Sequence, residues 1–480
     1  MTTTQQRFDG RYLTDDWHDT QTRYTLNNPA TGEAIAEVAD CGAAEAEQAA
    51  EISARVFESF KQTTAFERAG WLEHWHDLIM ANQETLARTM TEEMGKPIKE
   101  SRGEIAYAAG FVKWYAEEAK RVYGDTFPSQ SGHKRLFALK QPVGPSFAIT
   151  PWNFPAGMVT RKAAPALAAG CTFILKPAEQ TPLTALYLAA LWQETGAPAG
   201  SLQVLTALDP VPVSDVLIAD ARIRKITFTG STEVGRLLYR KAADTVKRIS
   251  LELGGHAPFL IFEDADIDQA VAEAIACKFR NAGQTCVCTN RIYVQRPILD
   301  EFTARYVEAT RALSVGDPLQ DDTDIGPLVD RQGLDKVKAH VADALTKGAK
   351  VALGGNALDG LYFEPTVLTN ISSDMQLMHE ETFGPVAPII GFDHDDEALR
   401  LANDTPYGLA AYLYTHDLSR AFRVAEGLDY GIVGLNDGVP STPHAPFGGY
   451  KQSGIGREGG KWGIEEYLET KYLSMALRRS

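Results

Sequence analysis

Five cysteines in 480 residues (Cys41, Cys171, Cys277, Cys286 and Cys288) are too few and too scattered for a disulfide framework. An odd set fits reduced thiols, and hence a cytoplasmic protein. No second cysteine or histidine pair stands at ligand spacing from Cys286 and Cys288, so no metal is expected. No apolar run reaches membrane-spanning length, and Met1–Phe8 lacks the charged start and apolar stretch of a secretory leader. Internal repeats and low-complexity tracts are absent as well. Basic charge is in deficit: 47 Lys and Arg against 63 Asp and Glu give a net charge of −16. That balance excludes nucleic acid and acidic membrane surfaces as natural partners, and any anionic substrate has to be drawn in by local charge.

The chain is longer than one hydrophobic core normally organises, so two or more domains are expected. From Ala43 to Lys120 apolar residues recur at three- and four-residue spacing, as in Ala65-Ala69-Leu72 and Trp71-Trp75-Ile79, which predicts two or three surface helices. From Lys140 onward short apolar runs alternate with polar turns and helices, the pattern of a parallel sheet. Strands are predicted at Ser146–Thr150, Thr172–Leu175, Lys225–Thr229 and Ala257–Phe262. A helix is expected from Asp266 to Asn281, with Asp264 or Asp266 as N-cap and Gly283 just past its end. Strand and helix alternate again from Phe302 to Asp437. The tail from Trp462 to Leu477 reads as a strand that needs a partner, which another subunit could supply.

The polar ends of these strands carry the chemistry, since parallel sheets bind ligands at their carboxyl ends. Cys286 lies in a polar, glycine-loosened loop after a helix, and Glu252 in Leu251-Glu252-Leu253-Gly254-Gly255 is a carboxylate beside two glycines. A thiol and a carboxylate so placed suit a nucleophile and a base. Gly230, Ser231 and Gly235 bracket a helix start that could receive a pyrophosphate. Glycines at helix starts are common, so spacing alone leaves a plain turn equally open. Lys176 and Glu179 could hold ribose hydroxyls or form a solvated turn; Glu179 precedes the Gly230 loop, so the usual dinucleotide fingerprint does not assign it. Asn153, flanked by Pro151, Trp152, Phe154 and Pro155, could donate to an oxyanion or simply make a turn.

Taken in order, Pro151-Trp152-Asn153-Phe154-Pro155, Lys176-Pro177-Ala178-Glu179, Phe228 to Gly235, Leu251 to Gly255, the Cys286 segment, Glu381-Thr382-Phe383-Gly384-Pro385 and Pro446-Phe447-Gly448-Gly449 resemble the motifs of aldehyde dehydrogenases over essentially the whole chain. The resemblance implies an α/β fold: a Rossmann-like coenzyme domain (1–120 and 141–250), an α/β catalytic domain (251–445) and a small β oligomerisation extension (121–140 and 460–480). It implies Cys286 as nucleophile, Asn153 with the Cys286 N–H as oxyanion hole, and Glu252 as general base of a non-acylating enzyme. The coenzyme contacts it implies are Trp152, Lys176, Glu179, Gly230, Ser231 and Gly235, with Glu381 and Phe383 on the nicotinamide ribose. The acidic Glu179 favours NAD, with NADP as the alternative. One departure is local: Leu202 to Asp209 lacks the glycine often found near Thr206.

Within that family the chain resembles the succinate-semialdehyde dehydrogenase branch, which implies Arg161, Arg280 and Ser441 as a clamp for a distal carboxylate. A guanidinium fork binds a carboxylate through charge-assisted, often bidentate bonds. Either arginine could instead pair with a structural carboxylate. Succinate semialdehyde is the expected substrate. Glutarate semialdehyde, an uncharged short aldehyde and a catalytically silent scaffold of the same fold are the alternatives, since one methylene changes binding by only about 1–3 kcal/mol. The resemblance also implies a homodimer or homotetramer, and a redox pairing of Cys286 with Cys288, whose side chains share a direction if the segment is extended.

Overall fold

The computed structural model describes residues 9–478, and the Met1–Phe8 segment read above lies outside them. The runs predicted at Ser146–Thr150, Thr172–Leu175 and Lys225–Thr229 form adjacent parallel strands, observed as Ser146–Ile149, Phe173–Lys176 and Lys225–Thr229, apolar and almost wholly buried, as strands covered on both faces should be. They sit inside an eight-stranded sheet. On one side of Ser146–Ile149 the order runs through Phe173–Lys176 and Leu202–Val204 to Tyr12–Leu13 and Trp17–His18; on the other it runs through Lys225–Thr229 and Arg248–Glu252 to Gly454–Ile455. The chain therefore reverses its direction of growth between Ser146–Ile149 and Lys225–Thr229, which opens a crevice at the carboxyl ends of these strands.

Leu253–His256 carries the chain from the end of Arg248–Glu252 into the strand Ala257–Ile261, which belongs to a second, seven-stranded sheet. Its order is Lys350–Leu353, Thr366–Thr369, Val386–Phe392, Thr289–Gln295, Ala257–Ile261, Ala410–Tyr414 and Ile432–Leu435. Glu252 thus stands at the junction of the two sheets. The helix Ile267–Phe279 starts at Asp266, whose carboxylate accepts from the Gln269 N–H at 3.1 Å. Asp264 does other work: it accepts from the Thr415 hydroxyl and the N–H groups of His416 and Asp417.

The segment predicted as two or three surface helices contains four: Ala43–Phe60, Ala65–Ala81, Gln83–Met94 and Ile98–Ala119. A capping box restarts the second, with Glu67 N–H donating to the Thr64 hydroxyl and the Glu67 carboxylate accepting from Thr64 N–H. Gly95, at φ +83°, ends the third. The fourth is no surface helix, because its inner face packs against Gly157–Ala169, a helix buried at every position. The tail forms the strand Leu468–Ala476, paired antiparallel along its length with Lys134–Pro142 of the same chain, which pairs in turn with Asp125–Phe127. The partner predicted for the tail is thus intramolecular on one edge, and its outer edge has no strand beside it among the described residues.

Candidate active site

The helix Ile267–Phe279 gives way to a tight turn, Arg280–Gly283, in which Asn281 and Ala282 adopt left-handed φ values of 53° and 54°. Gly283, at φ +75°, has to be glycine, because a β-carbon there would lie 2.2 Å from the Gly384 carbonyl oxygen. A second turn follows, closed by Cys288 N–H donating to the Thr285 carbonyl at 3.1 Å. The two thiols therefore do not lie along an extended strand. Cys286 lines a cavity of about 300 Å³. Cys288 is buried elsewhere, with its thiol against the Gly283 carbonyl at 3.3 Å and the Lys278 ammonium 3.8 Å from its sulfur.

Glu252 is 2 % exposed, and neither carboxylate oxygen has a hydrogen-bond partner among the described residues. Burial is the main force holding its pKa well above the usual carboxylate range; Glu458 adds to the shift, while Arg161, Lys162 and Arg457 oppose it. Burial likewise pushes the Cys286 thiol up to about 12, against the pull of Arg161. The segment that follows Glu252 passes directly beneath the nucleophile loop: a β-carbon on Gly255 would sit 2.3 Å from the Cys286 carbonyl oxygen. Asn153 is buried as well. Its side-chain amide donates to the Gln284 carbonyl at 3.0 Å, and its own carbonyl accepts from Lys96 Nζ at 2.8 Å and the Asn281 amide at 3.1 Å.

The cavity that holds Cys286 is also lined by Arg161, Arg280 and Ser441. Arg161 comes from the buried helix Gly157–Ala169 and has a structural carboxylate beside it, with Nε 2.5 Å from Glu458 Oε2. That contact is an ion pair without hydrogen-bond alignment. The guanidinium also lies over the Phe447 ring at 4.1 Å. Arg280 differs: no carboxylate among the described residues comes within ion-pairing distance, and its buried Nε has no hydrogen-bond partner there. Its guanidinium carbon is 5.6 Å from the centre of the Phe154 ring.

Of the residues read as coenzyme contacts, Trp152, Lys176, Glu179, Gly230, Ser231 and Gly235 stand at or just beyond the carboxyl ends of Ser146–Ile149, Phe173–Lys176 and Lys225–Thr229. Glu381 and Phe383 come instead from the segment before Val386–Phe392 of the second sheet. Lys176 Nζ donates to Glu179 Oε2 at 2.9 Å. Ser231 caps the helix Thr232–Ala243 by accepting from Val234 N–H at 3.3 Å, and Gly230 N–H donates to the Glu252 carbonyl at 3.1 Å. Gly235 permits that helix to sit against the strand exit, since a β-carbon would meet Leu253 at 2.4 Å. The Glu381 carboxylate accepts from Gly255 N–H at 3.2 Å, and burial lifts its pKa to about 7. Phe383 meets Trp152 edge-on, with ring centres 5.6 Å apart. A helix N-terminus, a strand-end lysine and carboxylate, and a carboxylate pinned to the Gly255 backbone are groups that could hold the pyrophosphate and riboses of a dinucleotide.

Comparison with known proteins decides the family, because residues 17–473 match the aldehyde dehydrogenase family along almost their full course. The chain belongs to the aldehyde dehydrogenase family. It is 50 % identical over 468 residues to a glutarate-semialdehyde dehydrogenase of Pseudomonas putida, with 97 % of each chain covered. It is also 50 % identical over 469 residues to an NADP-dependent succinate-semialdehyde dehydrogenase of Escherichia coli, again with 97 % of each covered. The crystal structure of an aldehyde dehydrogenase from Brucella melitensis superposes with a TM-score of 0.97 at 52 % identity, covering 99 % of both chains. The α/β fold expected from the motifs is therefore that of an NAD(P)-dependent aldehyde dehydrogenase. Among the described residues, no helix is long and apolar enough to cross a membrane.

The sequence reading of this aldehyde dehydrogenase missed several groups that shape the site. Lys162 and Glu458 form a buried ion pair directly behind Arg161, and Lys96 and Glu104 form another beside Asn153. Glu104 also accepts from Ala156 and Gly157 N–H at 2.9 and 3.1 Å, fixing the start of the helix that bears Arg161. Tyr107 and Glu100 line the cavity wall. One signal was available: adjacent Arg161 and Lys162 in an otherwise apolar, alanine-rich helix demand a buried carboxylate.

Proposed function

We propose that this enzyme oxidises a short aldehyde carrying a carboxylate at its far end, succinate semialdehyde first, with NAD preferred over NADP. The observation that carries the reading is the shared cavity, in which Cys286 lies with Arg161, Ser441 and an Arg280 that has no ion-paired carboxylate among the described residues. The Cys286 sulfur attacks the aldehyde carbon, and its proton passes to a water molecule as the carbon–sulfur bond forms. The Asn153 amide and the Cys286 N–H donate to the oxygen that becomes negative. When bound, the nicotinamide coenzyme supplies the hydride acceptor that turns the thiohemiacetal into a thioester. Glu252 then takes a proton from water as it attacks the thioester, and the acid leaves with Cys286 restored. Glu252 suits this step because its raised pKa makes it a stronger base than an ordinary carboxylate.

Glu179 supports NAD, since a carboxylate beside the adenosine ribose repels a 2′-phosphate. The test is steady-state kinetics with succinate semialdehyde, glutarate semialdehyde and butyraldehyde, each with both coenzymes. The carboxylated aldehydes should exceed butyraldehyde in kcat/KM by about ten- to a hundredfold, the worth of one or two charge-assisted hydrogen bonds. Equal values would overturn the assignment.

A further inference from the structure

The cavity wall contains a carboxylate that no step of the reaction uses. Glu100 stands in the first turn of Ile98–Ala119, half-buried, and lines the same cavity as Cys286, Arg161, Arg280 and Ser441. One of its oxygens accepts from the Asn281 N–H at 2.8 Å, which ties it to the loop between Arg280 and Cys286. A negative group in a pocket built to take an anion needs a reason.

The other charges around it are mostly spoken for. Lys96 is paired with Glu104, and Lys99, on the helix of Glu100 itself, pairs with Asp324 at 2.5 Å. Arg161, from the buried helix, pairs with Glu458. The segment carrying Val439, Ser441 and Phe447 brings no charged side chain to the cavity. Arg280 is the cation without an ion-paired carboxylate among the described residues, and Glu100 is the carboxylate of the cavity wall outside any ion pair there. We infer that Glu100 is a specificity-determining residue, a counter-charge that limits how strongly the Arg280 end of the pocket holds an anionic tail and so holds the pocket to tails of single charge. This rests on the carboxylated-aldehyde reading above.

Burial lifts the Glu100 carboxyl to about 7, against the pull of Lys96, Arg280, the Asn281 N–H and Lys99. Above that pH it is ionised and repels the tail; as pH falls it takes a proton, and the anionic tail binds more tightly.

The test compares wild type with Glu100→Gln, which keeps an oxygen to accept from Asn281 N–H. The readout is the ratio of kcat/KM for succinate semialdehyde to that for butyraldehyde, in which changes common to both substrates, including those of Cys286 and Glu252, cancel. At about pH 8 the ratio should rise about five- to thirtyfold in the variant, the effect of one charge at this range in a partly screened site. An aldehyde with a dianionic phosphonate tail should gain more. In wild type the ratio should climb as pH falls from about 8.5 to about 6, and the variant should lose that climb. Should the variant fail to fold, the wild-type profile decides, and a flat ratio overturns the inference. A wild type that does not favour succinate semialdehyde over butyraldehyde overturns the proposed function itself. A wild type that favours it, with a ratio that is flat in pH and unchanged by the substitution, overturns only the role of Glu100.

Discussion

Glu252 is in an unusual position for a carboxylate, since it is buried at a sheet junction with both oxygens unpartnered among the described residues. A raised native pKa means that folding disfavours its charged form. The penalty is absent below the ordinary carboxylate pKa and grows as pH rises toward the native value. Glu252→Gln should therefore melt higher than wild type by a margin that widens as pH rises above the ordinary carboxylate value of 4.5, as thermal denaturation at several pH values would show. The same variant should still form the thioester in a single burst of NADH, while steady turnover falls by about a hundred- to ten-thousandfold, the range of general base catalysis. The thiols should separate in the same way. Cys286 opens on the cavity and should be alkylated by a small reagent in the folded protein, whereas Cys288, 1 % exposed, should react only after unfolding; mass spectrometry of the labelled peptides reads both. On the coenzyme side, the proposed NAD preference predicts that Glu179→Gln raises kcat/KM with NADP relative to NAD by about tenfold, the effect of removing one charge from a 2′-phosphate placed beside it. No change in that ratio would sink the NAD assignment.

At the scale of elements, the Leu253–His256 crossover and the Cys286 loop are held together by the absence of a side chain at Gly255. Gly255→Ala would push a methyl group to 2.3 Å from the Cys286 carbonyl oxygen, a contact that only a backbone shift can relieve. Activity should fall by about a hundredfold or more, the typical result of an ångström-scale misplacement, while far-ultraviolet circular dichroism stays that of wild type. The strands and their polar ends were readable in sequence because each is a short apolar run whose residues are buried on both faces. The Cys286 loop was readable from its polar, glycine-bearing composition. The ion pairs behind Arg161 and Asn153 were not, because Glu458 and Lys96 lie far from them along the chain and reach them only through the packing of separate elements. The turn at Cys286 to Cys288 escaped as well, since a Thr285 carbonyl accepting from Cys288 leaves no mark in residue type. The helices before Lys120 were undercounted because Asn82 breaks a continuous helical periodicity without a proline or a glycine.

The small three-stranded sheet presents an edge that is open among the described residues. Among the described residues Leu468–Ala476 pairs with Lys134–Pro142 on one side only, and Tyr472, Leu473 and Met475 are exposed along it. Unpaired apolar edges draw partners. Purified enzyme should run larger than one chain by light scattering, and Leu473→Glu with Met475→Glu should reduce that mass. The helix Gly157–Ala169 has another kind of consequence. Since it has no solvent side, Arg161 rides on an element where trimming a large side chain leaves a cavity costing about 2–5 kcal/mol and enlarging one forces a clash. Ser441 and the 40 % exposed Val439 face the same cavity from a segment without regular structure, where exchange is cheap. Descendants of this sequence would inherit the cation almost unchanged and explore new aldehydes through the loop, so a laboratory library meant to shift tail length should be drawn there and leave the helix alone.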